Sequence, residues 1–254
     1  MLAVNNDNPT TVDGLRAVEL RYRAIRDITT KDPVYYQTQM RLNSPSLGVL
    51  MPDRYLPVLD CTDQCVSVFK LAFVQMLQAM NKFTERNVEF DWISIYMPVR
   101  FLGKKDCVQA VTDICKDLNV RNDKVCFEVS CTILENKEKR AAENIRQLRK
   151  NGFHFMLDEF GGDMSPIMRI ADYNFDYIML DRGVTKMLDK SEQADACVKS
   201  LVAFVNNAGA EPIAAHVTMD SQTVKLFEYE CSYYTGALAG NYVLERFIRR
   251  KNDF

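Results

Sequence analysis

Hydrophobic positions along this chain follow two alternating patterns, short β-rich apolar runs and longer stretches with apolar residues at helical spacing. The short runs are Leu20–Asp27, Tyr35–Leu42, Trp92–Met97, Val125–Ser130, His154–Leu157, Tyr177–Leu180, Glu211–Ala214 and Ser232–Tyr234. Segments of this length and composition predict strands. Between them the pattern predicts helices near Gln64–Phe83, Cys107–Asp117, Glu135–Lys150, Ser165–Ala171, Ala194–Ala208, Ser221–Phe227 and Gly240–Lys251. The stretch 135–150 is rich in good helix formers and is followed by Gly152, a C-cap signal. Strand and helix alternating at this spacing predict an α/β fold with a largely parallel sheet. This number of strands over this length fits a (β/α)8 TIM-like barrel better than an open sheet.

The first two strands break the alternation. Only Ile28 to Val34, with the turn residues Thr29, Thr30, Lys31, Asp32 and Pro33, separates them. That leaves no room for a crossover helix, so they are expected to form an antiparallel pair. No linker, repeat or low-complexity tract interrupts the chain. Residues 1–17, polar and rich in Asn, Asp and Thr, read as a flexible N-terminal lead-in, and 18–254 as one domain.

Composition narrows the class. With 254 residues, 47% hydrophobic and 26% charged, the chain has the make-up of a soluble globule with a substantial core. A net charge of −2 gives no whole-chain attraction to nucleic acid or anionic lipid. The local basic group Arg246, Arg249, Arg250 and Lys251 reads as the solvated end of the last predicted helix. No apolar run reaches the ~18–20 residues needed to span a bilayer, and the N-terminus lacks the pattern of a secretion signal. The eight cysteines lie scattered in apolar segments without a Cys-x-x-Cys pair, which predicts reduced core thiols and a cytoplasmic location. Cys61 and Cys65 stand one helical turn apart with no histidine nearby, so core packing is the reading for them. The only two histidines, His154 and His216, read as structural.

The candidate chemistry centres on Phe153-His-Phe-Met-Leu-Asp-Glu-Phe-Gly161, an apolar strand running into paired acids and a Phe-Gly turn. It resembles the Asp-Asp-Phe-Gly strand end of the EAL-domain family, phosphodiesterases that linearise cyclic di-GMP. Other blocks are similar to that family in the same order. Tyr22-Arg-Ala-Ile-Arg-Asp-Ile resembles its opening Tyr-Gln-Pro-Ile-Val-Asp-Leu strand, and the run from Tyr36 to Pro45 sits where the family writes Glu-Ala-Leu-Leu-Arg-Trp-x-x-Pro. Pro52-Asp-Arg-Tyr-Leu-Pro57 follows as the Pro-x-x-Phe-Ile-Pro continuation. Phe127-Glu-Val-Ser, Tyr177-Ile-Met-Leu-Asp-Arg182, Ile213-Ala-Ala-His-Val-Thr and Tyr234-Thr-Gly236 match the later strands. By contrast, Gly161-Gly162-Asp163-Met164 only superficially resembles a diguanylate cyclase loop, because it directly follows the acid pair.

The resemblance implies a site at the C-terminal mouth of the barrel in which two divalent cations polarise a phosphodiester and generate hydroxide. Such cations take oxygen ligands, chiefly carboxylates and amide carbonyls. Of the implied ligands this chain keeps Glu128, Asp158 and, one methylene longer, Glu159. Gln37 replaces a glutamate, Tyr96 an asparagine, Met179 the catalytic lysine, Ala215 another glutamate and Thr235 a glutamine. Asp163 and Asp181 are the acids placed to compensate. Arg41 matches the arginine that contacts a phosphate of the dinucleotide, with a salt bridge to a retained acid as its other reading. Arg23 stands at the guanine-facing position.

The sequence therefore predicts a degenerate EAL barrel with no catalytic residues and no required cofactor. Glu128, Asp158 and Glu159 are vestigial metal positions that leave room for one weakly held Mg or Mn. The expected role is regulatory, through contact with another protein or as a homodimer, with no nucleic acid as partner. Two alternatives stand beside it: a cyclic di-GMP receptor without turnover, and a residual phosphodiesterase with a rebuilt metal site.

Overall fold

A computed structural model of the protein describes residues 11–12, 15–131, 133, 139–162 and 167–250. Its centre is a closed barrel of the strands β1 (Val18–Asp27), β2 (Pro33–Ser44), β3 (Ile93–Tyr96), β4 (Val125–Ser130), β5 (His154–Phe160), β6 (Tyr177–Leu180), β7 (Glu211–Ala214) and β8 (Tyr233–Tyr234). From β2 to β8 each strand is parallel to the next. The ring closes through β1, which is antiparallel to both β8 and β2. The sequence demands this exception. Asp27 ends β1 with its Oδ1 accepting the backbone N–H of Thr29 and Thr30 at 2.8 and 2.7 Å, and Lys31 takes φ +64°. That is an Asx-type turn, too tight for a helix.

The other strands are joined through helices laid on the outside. α1 (Pro52–Leu59) and α2 (Gln64–Glu85) follow β2. In α2, Phe69, Phe73, Met76, Leu77, Met80 and Phe83 recur at helical spacing and are buried, so one stripe of this long helix faces the barrel. α3 (Val99–Leu102) and α4 (Cys107–Asp117) follow β3, and α5 (Lys139–Lys150) follows β4. α6 (Arg182–Thr185) and α7 (Glu192–Asn207) follow β6, and α8 (Asp220–Glu228) follows β7. Among the described residues, no helix is long and apolar enough to cross a membrane.

The core divides as a barrel requires. A sleeve of buried residues lies between strands and helices, and a second cluster of Ile25, Tyr35, Trp92, Cys126, Met156, Tyr177, Met179, Ile213 and Ala215 fills the interior. The N-terminal end of the barrel is plugged by rings. Tyr35 stacks on Trp92 at 4.0 Å, Tyr177 and Tyr233 meet Tyr35 edge-on, and the Tyr35 hydroxyl donates to that of Tyr233 at 3.0 Å. Access is thereby left to the C-terminal end of the parallel strands, where active sites of this fold lie.

Several local expectations are corrected. The stretch from Gly240 onward is not a helix. Val243–Leu244 pairs antiparallel with Tyr22 and Arg21 of β1, and Glu245–Phe247 forms one 3-10 turn. Gly240 at φ +123° and β-branched Val243 favour an extended chain, and β1 offers an open edge to pair with. Arg246 and Arg250 consequently do not end an α-helix: Arg246 sits in the 3-10 turn with its guanidinium over Phe247, and Arg250 donates to the Arg86 carbonyl at 2.5 Å. Ile167–Asp172 is a 3-10 helix rather than an α-helix. The rest of the predicted Ser165–Ala171 helix, the start of the Glu135–Lys150 helix, Asp163 and Lys251 lie outside the described residues. Within the lead-in, Thr11–Val12 and Leu15–Arg16 pair as a small antiparallel ladder. All eight cysteines are free, but Cys61 and Cys197 are exposed rather than in the core.

Candidate functional site at the barrel mouth

The strand periodicity of two decides which side chains reach the mouth. On β2 it is Gln37, on β3 Ser94 and Tyr96, and on β4 Glu128, set beside one another by the parallel registers Gln37↔Ser94 and Tyr96↔Glu128. On β5 the register slips between Leu157 and Phe160. Glu159 takes φ +61° within this bulge and donates its backbone N–H to Asp158 Oδ1 at 2.8 Å. A left-handed non-glycine residue costs on the order of 1–2 kcal/mol, so the bulge is held by its surroundings. Gly161, at φ +86°, completes the turn against Leu201 and Val184, where a Cβ would stand 2.7 Å from Leu201.

Glu128, Asp158 and Glu159 all line one cavity at this end of the barrel, together with Gln37, Tyr96, Asp60 and Tyr242. All three acids thus face the same cavity. The Glu128 carboxylate is engaged by protein groups. Ser94 Oγ donates to Glu128 Oε1, and Gln37 Nε2 donates to Glu128 Oε2 at 3.2 Å. The Gln37 carbonyl oxygen accepts from the Tyr242 hydroxyl at 2.8 Å and from Arg23 at 3.5 Å. The Arg23 guanidinium lies 4.2 Å over the Tyr242 ring. Met179, at the implied lysine position, touches the same amide through its sulfur.

The electrostatics follow from this packing. Burial and then the charge of Asp158 push Glu128 above the ordinary carboxylate range, while Ser94, Gln37 and Arg23 pull it back. Asp158 is raised by burial, Glu159 and Asp181, and Arg23 again opposes. The His216 imidazole, at φ +59° next to Ala215, is held low by burial and by Arg23, Arg182 and Lys186.

Other expected groups are otherwise occupied. Arg41 donates to Gln39 at 3.0 and 3.1 Å, and no ion pair among the described residues joins it to the three acids. Tyr96 donates its hydroxyl to Asp60, and Thr235 bonds the Ala24 carbonyl at 3.0 Å. Asp181 caps α6, accepting from Gly183 N at 2.6 Å. Of the tyrosines near the last strand, only Tyr242 reaches the cavity. Tyr233 belongs to the opposite plug. Sequence reasoning missed Ser94, which sits two residues before Tyr96 and hence on the same face, and Asp60, for which a loop position gives no signal.

The raised carboxylates make a stability prediction. Across the interval from about pH 4.5, the ordinary glutamate value, to the raised folded value, the folded protein binds more protons than the unfolded chain. Unfolding free energy then falls as pH rises through that interval. Glu128→Gln keeps partners for Ser94 and Gln37 without the buried charge, and should stabilise the protein by about 1–3 kcal/mol at pH 8 and by little at pH 5. Urea denaturation at both pH values checks this; an unchanged slope with pH in the variant would contradict it.

One antiparallel strand thus closes an otherwise parallel eight-stranded barrel, with an acid pair on a bulge at its mouth. This chain belongs to the EAL domain family, whose model matches residues 13–242. Among curated relatives, the cyclic di-GMP phosphodiesterase RocR of Pseudomonas aeruginosa is 27% identical over 198 residues, 78% of this chain and 50% of RocR. The cyclic di-GMP phosphodiesterase PdeB of Shewanella oneidensis is 28% identical over 148 residues, 58% of this chain and 17% of PdeB. The chain thus spans half or less of the length of these relatives. The PaMucR phosphodiesterase, solved as a c-di-GMP complex, superposes with a TM-score of 0.82 at 17% identity, covering 92% of this chain and 95% of that one. The FimX EAL domain from Pseudomonas aeruginosa bound to c-di-GMP gives 0.78 at 13% identity, covering 89% and 90%. At these identities the likeness is one of fold.

Proposed function

We propose that this EAL domain acts without hydrolysing cyclic di-GMP, as a regulatory module in that kind of signalling that binds another protein or a second copy of itself. The observation that carries this reading is the orientation of Gln37. Its amide nitrogen faces Glu128, and its oxygen is taken by Tyr242 and Arg23. A ligating amide would turn its oxygen toward a cation. Instead, a donor stands against the carboxylate, and the guanidinium of Arg23 supplies positive charge. Among the described residues, no group of three or more His, Cys, Asp or Glu side chains is placed to hold a metal ion. The residues present do not fit the two-cation site that the family resemblance implies. The reading requires no cofactor.

The cyclic di-GMP receptor is the second reading, and the cavity speaks against it. Its volume is about 190 Å³, whereas sites for drug-sized ligands run to roughly 300–1,000 Å³. Arg41, the proposed phosphate contact, is held by Gln39. A rebuilt phosphodiesterase would need acids to replace those lost at 37 and 215, and Asp181 is spent on capping α6.

Incubation of the protein with cyclic di-GMP and Mg²⁺ or Mn²⁺ tests the proposal. No linear dinucleotide should form above the buffer rate, because Gln37, Tyr96, Met179 and Ala215 cannot assemble two bridged cations. Metal-dependent turnover that disappears in Asp158→Asn would refute it. Calorimetric titration with the dinucleotide, with and without Mg²⁺, separates the receptor from the protein-binding module.

A further inference from the structure

After β8 the chain passes over the barrel mouth on its way to the edge of β1. Ala239 and Ile248 are buried and hold this segment at its two ends. Between them, none of residues 240–247 is fully buried. Its backbone joins the sheet through two residue pairs, Val243 with Tyr22 and Leu244 with Arg21. A groove of about 450 Å³ runs between the segment and α2, with Gln75, Gln78 and Ala79 on the helix side and Leu244 and Glu245 on the other. Glu245 reaches α2 and the residue that ends it through ion pairs, to Lys82 at 3.3 Å and Arg86 at 2.8 Å. Both pairs are partly exposed, so each is weak and screened by salt.

Tyr242 carries the segment into the mouth cavity. Its hydroxyl donates to the Gln37 oxygen, and its ring covers one face of the Arg23 guanidinium. The closure is imperfect, because Arg23 Nε is buried without a hydrogen-bond partner. A buried donor left unpaired is a cost of the closed state that water removes once the cover lifts. Gly240 supplies a pivot. It sits at φ +123°, and a Cβ there would meet nothing within 4 Å, so the backbone has room to turn. Low burial, a short ladder and a solvated ionic latch mark a unit that opens locally, below the free energy of global unfolding.

We propose that residues 240–247 are a flap over the barrel mouth, with Tyr242 as its stopper and the ion pairs of Glu245 with Arg86 and Lys82 as its latch. In the closed state Tyr242 covers Gln37 and Arg23. In the open state the segment swings between Gly240 and Ile248, Tyr242 leaves the mouth, and both side chains become accessible. Access to the mouth is thus governed from α2, on the outside of the barrel. The inference goes beyond the non-hydrolysing reading and does not depend on it.

Hydrogen exchange of the intact protein, followed by mass spectrometry, reads the flap. The peptide spanning 241–248 should exchange at least about tenfold faster than peptides of β4 and β5. Glu245→Gln should speed flap exchange about threefold to tenfold and leave β4 unchanged; about 0.5 M sodium chloride should do the same to the parent protein and little to the variant. The stopper is read separately, with fluorotyrosine incorporated and the Tyr242 fluorine resonance identified by its loss in Tyr242→Phe. That resonance should exchange with a minor, solvent-exposed form, whose population rises about threefold to tenfold in Glu245→Gln. Flap amides that exchange only together with β4, or a Tyr242 resonance with a single form in both proteins, would overturn the proposal. So would a flap that opens in Glu245→Gln while Tyr242 stays in the mouth. Turnover of cyclic di-GMP would sink the non-hydrolysing reading alone, since neither readout of the flap involves the dinucleotide.

Discussion

Replacing Phe127 with alanine should lower the unfolding free energy by about 3–5 kcal/mol, the usual cost of deleting a fully buried phenylalanine. Phe127 lies on β4 with no exposed surface. It points outward from the barrel and is met by Phe73 and Phe69 from α2 at 5.6 and 6.4 Å and by Phe153 and Phe155 at 5.3 and 5.5 Å. These neighbours belong to a long helix and to an adjacent strand, neither of which can move inward without breaking its own hydrogen bonds. The cavity therefore stays largely open, and the loss falls at the upper part of the range. Next to it in sequence, Glu128 faces the mouth. A guanidinium denaturation series reads the effect; a loss under about 1 kcal/mol would show that the sleeve between α2 and the barrel collapses freely.

Gly236→Ala should cost about 3 kcal/mol or more, although it adds one methyl group. Gly236 follows β8 at φ +146°, and a Cβ there would stand 2.3 Å from the Val217 carbonyl oxygen and 2.4 Å from its nitrogen. Those are backbone atoms. Val217 N is bonded to the Thr235 carbonyl at 3.0 Å and Leu238 N to the Val217 carbonyl at 3.1 Å, so the clash cannot be relieved without opening these bonds. His216, at φ +59°, would have to move with them. Thermal unfolding followed by circular dichroism measures the cost. A variant as stable as the parent protein would mean that the two segments approach less closely than described.

Much of the architecture was legible because it rests on local rules. The alternation of apolar runs with amphipathic stretches gave the strands from β1 to β8 with boundaries shifted by a few residues. The short turn after Asp27 alone decided that β1 and β2 are antiparallel, since no crossover fits in it. The Gly240–Lys251 helix failed for the complementary reason. That segment has no strong intrinsic preference, and the free edge of β1 decided its conformation by offering backbone partners to Val243 and Leu244. Short elements such as α3 and α6 fall below the length at which periodicity can be read.

The candidate site divides in the same way. The identities of Gln37, Tyr96, Met179 and Ala215 are properties of the chain, and the strand period sets their side of the sheet, so the sequence by itself determined which side chains the mouth carries at these positions. Which groups take over was decided only in three dimensions. Ser94 reaches Glu128 because β3 and β4 are parallel and in register. Tyr242, more than 200 residues from Gln37, closes over it because the chain after β8 returns along β1. Arg23 points to the same acids from the antiparallel strand. Hydrogen bonds and charge pairing act over a few ångströms, whatever the distance along the chain. The sequence could name the residues at these positions, but only the closed barrel could bring a distant tyrosine, arginine and serine to the carboxylates of the mouth.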